Sequence, residues 1–141
     1  SASEEFVKGR FNEVLADPRS PDPTVVTRLV LCSGKVYYDL DEHREAQGIK
    51  DAAIIRLEQI YPLPRKALLD ATAKYPKALR NVVWAQEEPK NMGAWSHVAP
   101  KLHDLDLRAR YVGRPASASP ATGSARVHAA EQADLVSRAF A

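Results

Sequence analysis

One cysteine and one methionine stand in a chain of 141 residues. With Cys32 alone, no internal disulfide forms, and a reducing compartment suits the chain. Zinc finds no ligand set either, since a site wants three or four Cys, His or carboxylate ligands close together. The histidines His43, His97, His103 and His128 are scattered. Only His97 and His103 approach each other in sequence, and their spacing misses the three or four residues that share a helix face. No run of about 18 apolar residues exists to span a membrane, and no secretory signal is visible at the start. Charge of one sign is not in excess: the formal net charge is +2 and the basic residues are dispersed. Duplex nucleic acid needs Lys and Arg gathered on one face, so that class of partner is not expected. A Ser–His–Asp triad lacks its nucleophile-elbow sequence. The chain opens on Ser1 and its single methionine is Met92, so a piece of a longer polypeptide is expected.

What is present suits one globular domain. Hydrophobic residues make up 45% and charged residues 27%, enough apolar surface for a core inside a soluble shell. Residues 1–26 differ from the rest. Residues 4–16 would form a short helix with Phe6, Phe11, Val14 and Leu15 as its apolar positions. Pro18, Pro21 and Pro23 then force an extended path, so 1–26 is predicted as a linker from an upstream domain and 27–141 as the domain itself.

From Thr27 strands and helices alternate. The apolar run 28–32 reads as a buried strand, Ser33-Gly34-Lys35 as a turn, and 36–47 as a helix stopped by Gly48. Strand 52–57 follows, then a helix from Pro64 to about Tyr75, where Pro76 ends it. Strand 81–86 leads into a polar loop at 87–92. A helix over 93–105 carries Pro100 as a weak point. A short strand at 107–112, a loop at 113–124 and a closing helix over 127–140 complete the chain, with Val127, Ala130, Leu135 and Phe140 assigned to the core. The alternation predicts an α/β fold in three layers, a mostly parallel sheet with helices on both faces. In such sheets the functional edge lies at the carboxyl ends of the strands.

Three segments fall at that edge. Ser33 and Lys35 sit at a helix amino end, where an anion would dock, although a tight turn is the plainer reading and the full phosphate-loop pattern is missing. Glu87 and Glu88 are neighbours on an extended stretch and point to opposite sides, so they make no acid–base pair. With Gln86, Asn91, Gly93, Trp95 and Arg114 they are the candidates for an interface. Trp84 reads as core, while Trp95 fits a partner surface and the domain's own core equally well.

Four ordered blocks carry a resemblance. Leu31-Cys32-Ser33-Gly34-Lys35-Val36-Tyr37-Tyr38-Asp39-Leu40 resembles the opening of the final domain of 2-oxoglutarate dehydrogenase decarboxylating components. Ile55-Arg56-Leu57-Glu58-Gln59-Ile60-Tyr61-Pro62-Leu63-Pro64 is similar to the next strand and loop of that domain. Trp84-Ala85-Gln86-Glu87-Glu88-Pro89 with Asn91 and Gly93-Ala94-Trp95 resembles a third block. Tyr111-Val112-Gly113-Arg114-Pro115-Ala116-Ser117-Ala118-Ser119-Pro120-Ala121-Thr122-Gly123 resembles a fourth, and His128 and Gln132 fall in the family's last helix.

The resemblance implies a transketolase C-terminal-like fold of about five strands, usually with one antiparallel edge strand. It implies a complete enzyme that is a longer homodimer using thiamine diphosphate and magnesium. That enzyme oxidatively decarboxylates 2-oxoglutarate in the tricarboxylic acid cycle and succinylates the lipoyl group of its dihydrolipoyl succinyltransferase partner. Its setting would be the bacterial cytoplasm or, in a eukaryote, the mitochondrial matrix. The family's Gly-Asp-Gly cofactor motif is absent here, so no catalytic, cofactor-binding or metal residue is carried over, and the chain is not expected to be catalytic alone. Its expected partners are the upstream domains of the same polypeptide and the homodimer mate. The competing readings are a free-standing domain that binds a nucleotide or other anion at the Ser33–Lys35 turn, and a regulatory protein derived from such a domain.

Overall fold

The structure is a computed structural model and describes residues 13–116 and 125–141. Five strands form one sheet: β1 (Val14–Leu15), β2 (Arg28–Cys32), β3 (Ala52–Leu57), β4 (Val82–Pro89) and β5 (Arg110–Arg114). The helices are α1 (Val36–Ala46), α2 (Arg65–Ala73), α3 (Trp95–Asp104) and α4 (Ala125–Ala139), with a short 3-10 turn at Pro76–Ala78. The strand order is β1-β3-β2-β4-β5. The pairs β2–β3, β2–β4 and β4–β5 are parallel, and β1 runs antiparallel to β3.

The continuous apolar runs of the inner strands follow from burial on both faces. Successive strand residues point to opposite sides. Leu29, Leu31, Ala53, Ile55 and Trp84 therefore pack beneath α2 and α3, with Leu68, Tyr75, Val98 and Leu102. Val30, Cys32, Ile54, Val83, Ala85 and Val112 face the other way, against Val36 and Leu40 of α1 and Leu135, Val136 and Ala139 of α4. Each buried Leu, Ile or Val contributes about 1.5–3 kcal/mol of transfer free energy before chain entropy is subtracted.

The structure revises several expectations. Residues 14–26 are not a free linker. Val14 and Leu15 pair with Leu57 and Arg56, and Val26 is fully buried. The helix expected over 4–16 is a strand at Val14–Leu15, because an unpaired sheet edge beside β3 offers these backbone groups a ladder. Its remainder lies outside the described residues. The polar loop expected at 87–92 is strand as far as Pro89. The fourth predicted strand is displaced to Arg110–Arg114: Leu107 N–H still closes onto Leu102 O at 2.8 Å, and Asp106 takes a positive φ of 62° to end the helix.

The face of α4 is also different. Val127 and Ala130 are exposed, whereas Leu135, Val136 and Ala139 are buried. The inward stripe runs 131/132, 135/136, 139, at the spacing of one helix face. Its first half is polar because it meets polar groups at the sheet's carboxyl edge. Of the loop expected at 113–124, Gly113 and Arg114 are strand, and residues 117–124 lie outside the described residues.

Candidate functional site

The carboxyl ends of β2, β3, β4 and β5 form one edge. There the sequence delivers a turn (Ser33–Lys35), a loop with Tyr61, the end of β4 with its following turn, and Arg114.

Gln86 is the hub of the β4 end. The ladder between β4 and β5 slips between Ala85 and Pro89, which frees the Gln86 side chain to satisfy groups around it. Its Oε1 accepts from the Trp84 indole at 2.9 Å and from the Trp95 backbone N–H at 3.1 Å. Its Nε2 lies within hydrogen-bonding distance of three carbonyls, Glu88 O at 3.1 Å, Pro89 O at 3.0 Å and Met92 O at 2.9 Å. A buried amide so fully engaged shapes the turn and has no capacity left for a ligand. Gly93 closes this turn at a φ of 67°, with Glu88 Cβ only 3.1 Å from where a Cβ would stand. Gly113 is tighter still: a Cβ would meet Tyr111 Oη at 2.5 Å and Gln86 O at 2.7 Å, so only glycine allows β5 to approach β4 here.

Arg114, at the end of β5, is a second hub. Its Nε donates to Glu131 Oε2 at 3.0 Å and its Nη2 to Gln132 Oε1 at 3.1 Å, while Nη1 donates to the Glu87 carbonyl. The Gln132 amide donates in turn to Asp39 Oδ2 and Glu87 Oε1, each at 2.9 Å. One frame thus joins α1, β4, β5 and α4. Gln132 had been placed only by resemblance, and Asp39 and Glu131 had no role. The continuation of α4's buried stripe from Leu135 back to Gln132 and Glu131 is the signal that would have found them.

The remaining candidates divide. Glu88 and Asn91 are exposed. Trp95 is half-buried, packs against the core beneath α2 and α3, and lies 5.5 Å from the Tyr111 ring centroid. The reading of Trp95 as part of the domain's own core is therefore met in part. Among the described residues, neither Ser33 nor Lys35 has a charged partner. Lys35 makes no side-chain cap bond, and the Tyr37 and Tyr38 N–H groups are already spent on Gly34 O at 3.3 Å and Lys35 O at 3.0 Å. Nothing in this geometry supports the anion reading.

The sequence reading gave no role to a set of aromatic side chains at the same edge. Tyr38 is 64% exposed and Tyr61 66% exposed. The Arg56 guanidinium lies 4.1 Å from the Tyr37 ring centroid and 5.8 Å from that of Tyr38. Tyr61 and His97 have their rings 4.0 Å apart.

Residues 1–140 match the profile of the family described as 2-oxoglutarate dehydrogenase C-terminal. The chain belongs to that family. Similar proteins include the 2-oxoglutarate dehydrogenase E1 component of Azotobacter vinelandii, 47% identical over 146 aligned residues, covering 99% of this chain and 15% of that protein. The E1 component of Brucella anthropi is 50% identical over 122 residues, covering 82% of this chain and 12% of that protein. The chain therefore spans about 15% of the length of the first of these relatives. The match agrees with the resemblance carried by the four blocks, and the sheet has the one antiparallel edge strand that it implies, here β1.

The family brings thiamine diphosphate and magnesium into view, and the residues here do not fit them. Among the described residues, no three His, Cys, Asp or Glu side chains are grouped to hold a metal ion. The amides and guanidinium at the carboxyl edge are engaged with the domain's own groups.

Proposed function

We propose that this chain is the closing, non-catalytic domain of a 2-oxoglutarate dehydrogenase E1 component. It docks by the carboxyl edge of its sheet onto upstream domains of the same polypeptide and onto the homodimer mate. The complete enzyme would decarboxylate 2-oxoglutarate oxidatively, with thiamine diphosphate and magnesium held by segments outside this chain. It would pass the succinyl group to the lipoyl group of a dihydrolipoyl succinyltransferase, in the bacterial cytoplasm.

One observation carries the docking reading. Gln86, Arg114 and Gln132 at this edge are engaged inside the domain, while Tyr38 stands exposed near Arg56 and Tyr61 stands exposed against His97. Tyr and Arg are the residues enriched where interfaces concentrate their energy. The polar frame of Gln86, Arg114 and Gln132 holds these elements in fixed relation. Glu87, Glu88 and Asn91 are candidates for the rim, where contacts contribute less.

The test is Tyr38→Ala and Tyr61→Ala in the full-length enzyme, read by dimer dissociation and by 2-oxoglutarate-dependent turnover. Weaker dimerisation or domain docking with reduced turnover is expected, with the melting midpoint of this domain unchanged. Full turnover and unchanged dissociation in both variants would sink the reading.

A further inference from the structure

We propose that the groove at the amino edge of the sheet docks an acidic, leucine-bearing peptide segment of a separate polypeptide. It lies at the edge opposite the surface assigned above to the rest of the enzyme and does not depend on that assignment. One wall is the second half of α2 with the 3-10 turn, and the other is the loop between α3 and β5. Together they leave an open groove of about 800 Å³. Leu69, Leu79 and Leu105 supply apolar surface, and Leu69 is 40% exposed. With Leu79 and Leu105 half-buried beside it, Leu69 gives the groove an accessible apolar wall.

The charge around it is one-sided. Lys77, Arg80 and Arg108 line the groove against a single carboxylate, Asp106. Lys77 is held by donating to Thr24 O at 2.8 Å. Among the described residues, Arg80 and Arg108 have no carboxylate partner. Cations without a carboxylate partner, beside exposed Leu69 and half-buried Leu79 and Leu105, are complementary to acidic side chains interleaved with apolar ones. A small anion would leave the leucines uncovered. A nucleic acid would want an aromatic platform, and no aromatic ring lines the groove.

The test is fluorescence anisotropy with a labelled synthetic peptide whose Asp and Glu residues flank spaced leucines. The protein is the full polypeptide carrying this chain. Saturable binding is expected, weakened at least about tenfold by Arg80→Glu with Arg108→Glu. A peptide with its leucines changed to Ser should bind at least about tenfold more weakly too, because screened charge alone gives little. Photo-crosslinking from the leucine positions should mark residues 69–80 and 105–108. No saturable binding would overturn the proposal, as would equal binding by the charge-reversed protein, equal binding by the Ser peptide, or crosslinks confined elsewhere. A thermal melt of the charge-reversed variant guards against a folding defect, and Leu69→Ser provides an independent variant with the same expected loss.

Discussion

Gln86 shows how one side chain fixes a turn. Its amide serves two donors and three carbonyls, all of its own domain. Gln86→Ala would strand the Trp84 indole and the nearby carbonyls, and a stranded buried group costs about 1–3 kcal/mol. A clear fall in the thermal midpoint is expected, against about ±0.5 kcal/mol for Glu88→Ala on the exposed side. Equal midpoints for the two variants would refute the hub. Cys32 gives a second residue-scale expectation. It is fully buried on β2, and burial pushes its thiol up to about 12. A thiolate is the reactive form, so a thiol reagent at neutral pH should label Cys32 only as the protein unfolds. Rapid labelling of the native protein contradicts this.

At the scale of elements, β1 is held less by its two residues than by Asp17 just beyond them. The Asp17 carboxylate accepts from Ile54 N–H at 2.8 Å and pairs with Arg44, whose Nη2 lies 3.1 Å from its Oδ1. The side chains are 0% and 3% exposed. Breaking such a buried pair costs about 3–5 kcal/mol, because the remaining charge is left in a poor solvent. Asp17→Ala should therefore cost far more stability in denaturant unfolding than Asp22→Ala on the exposed neighbouring turn. Similar losses would show that β1 docks without the pair. This pair also explains where sequence reasoning stopped. The inner strands and all four helices were legible, because apolar runs and helical periodicity write them locally. Val14 and Leu15 were read as helix, and Asp17 as linker, because what orders them is a sheet edge and an arginine 27 residues away. At the candidate site, Gln86 and Arg114 are legible as candidates but their partners are not: the turn that folds Met92 and Trp95 back onto Gln86 is irregular backbone, and Glu131 and Gln132 meet Arg114 only through the fold.

For the molecule as a whole, the same corner sets a pH dependence. Asp41 accepts from Arg19 at 2.8 and 2.9 Å and from Arg44 at 2.8 Å. The hydrogen bond from Arg19, helped by Arg44, holds its carboxyl at about 2, below the ordinary 3.8. A depressed folded value means that stability is fully present above the unfolded value and is lost as pH falls through the folded one. Unfolding midpoints should drop between about pH 4 and pH 2, and Asp41→Asn should flatten that part of the curve. An unchanged slope in the variant would refute the assignment.

The placement of α4 bears on how the chain is made. Its Leu135, Val136 and Ala139 complete one of the two cores, yet α4 follows every strand in sequence. On a ribosome, the sheet can form while Val83, Ala85 and Val112 still lack their cover. A nascent chain stalled before α4 therefore presents sticky surface, and the last turn of helix to emerge decides whether the domain closes or is handed to a chaperone.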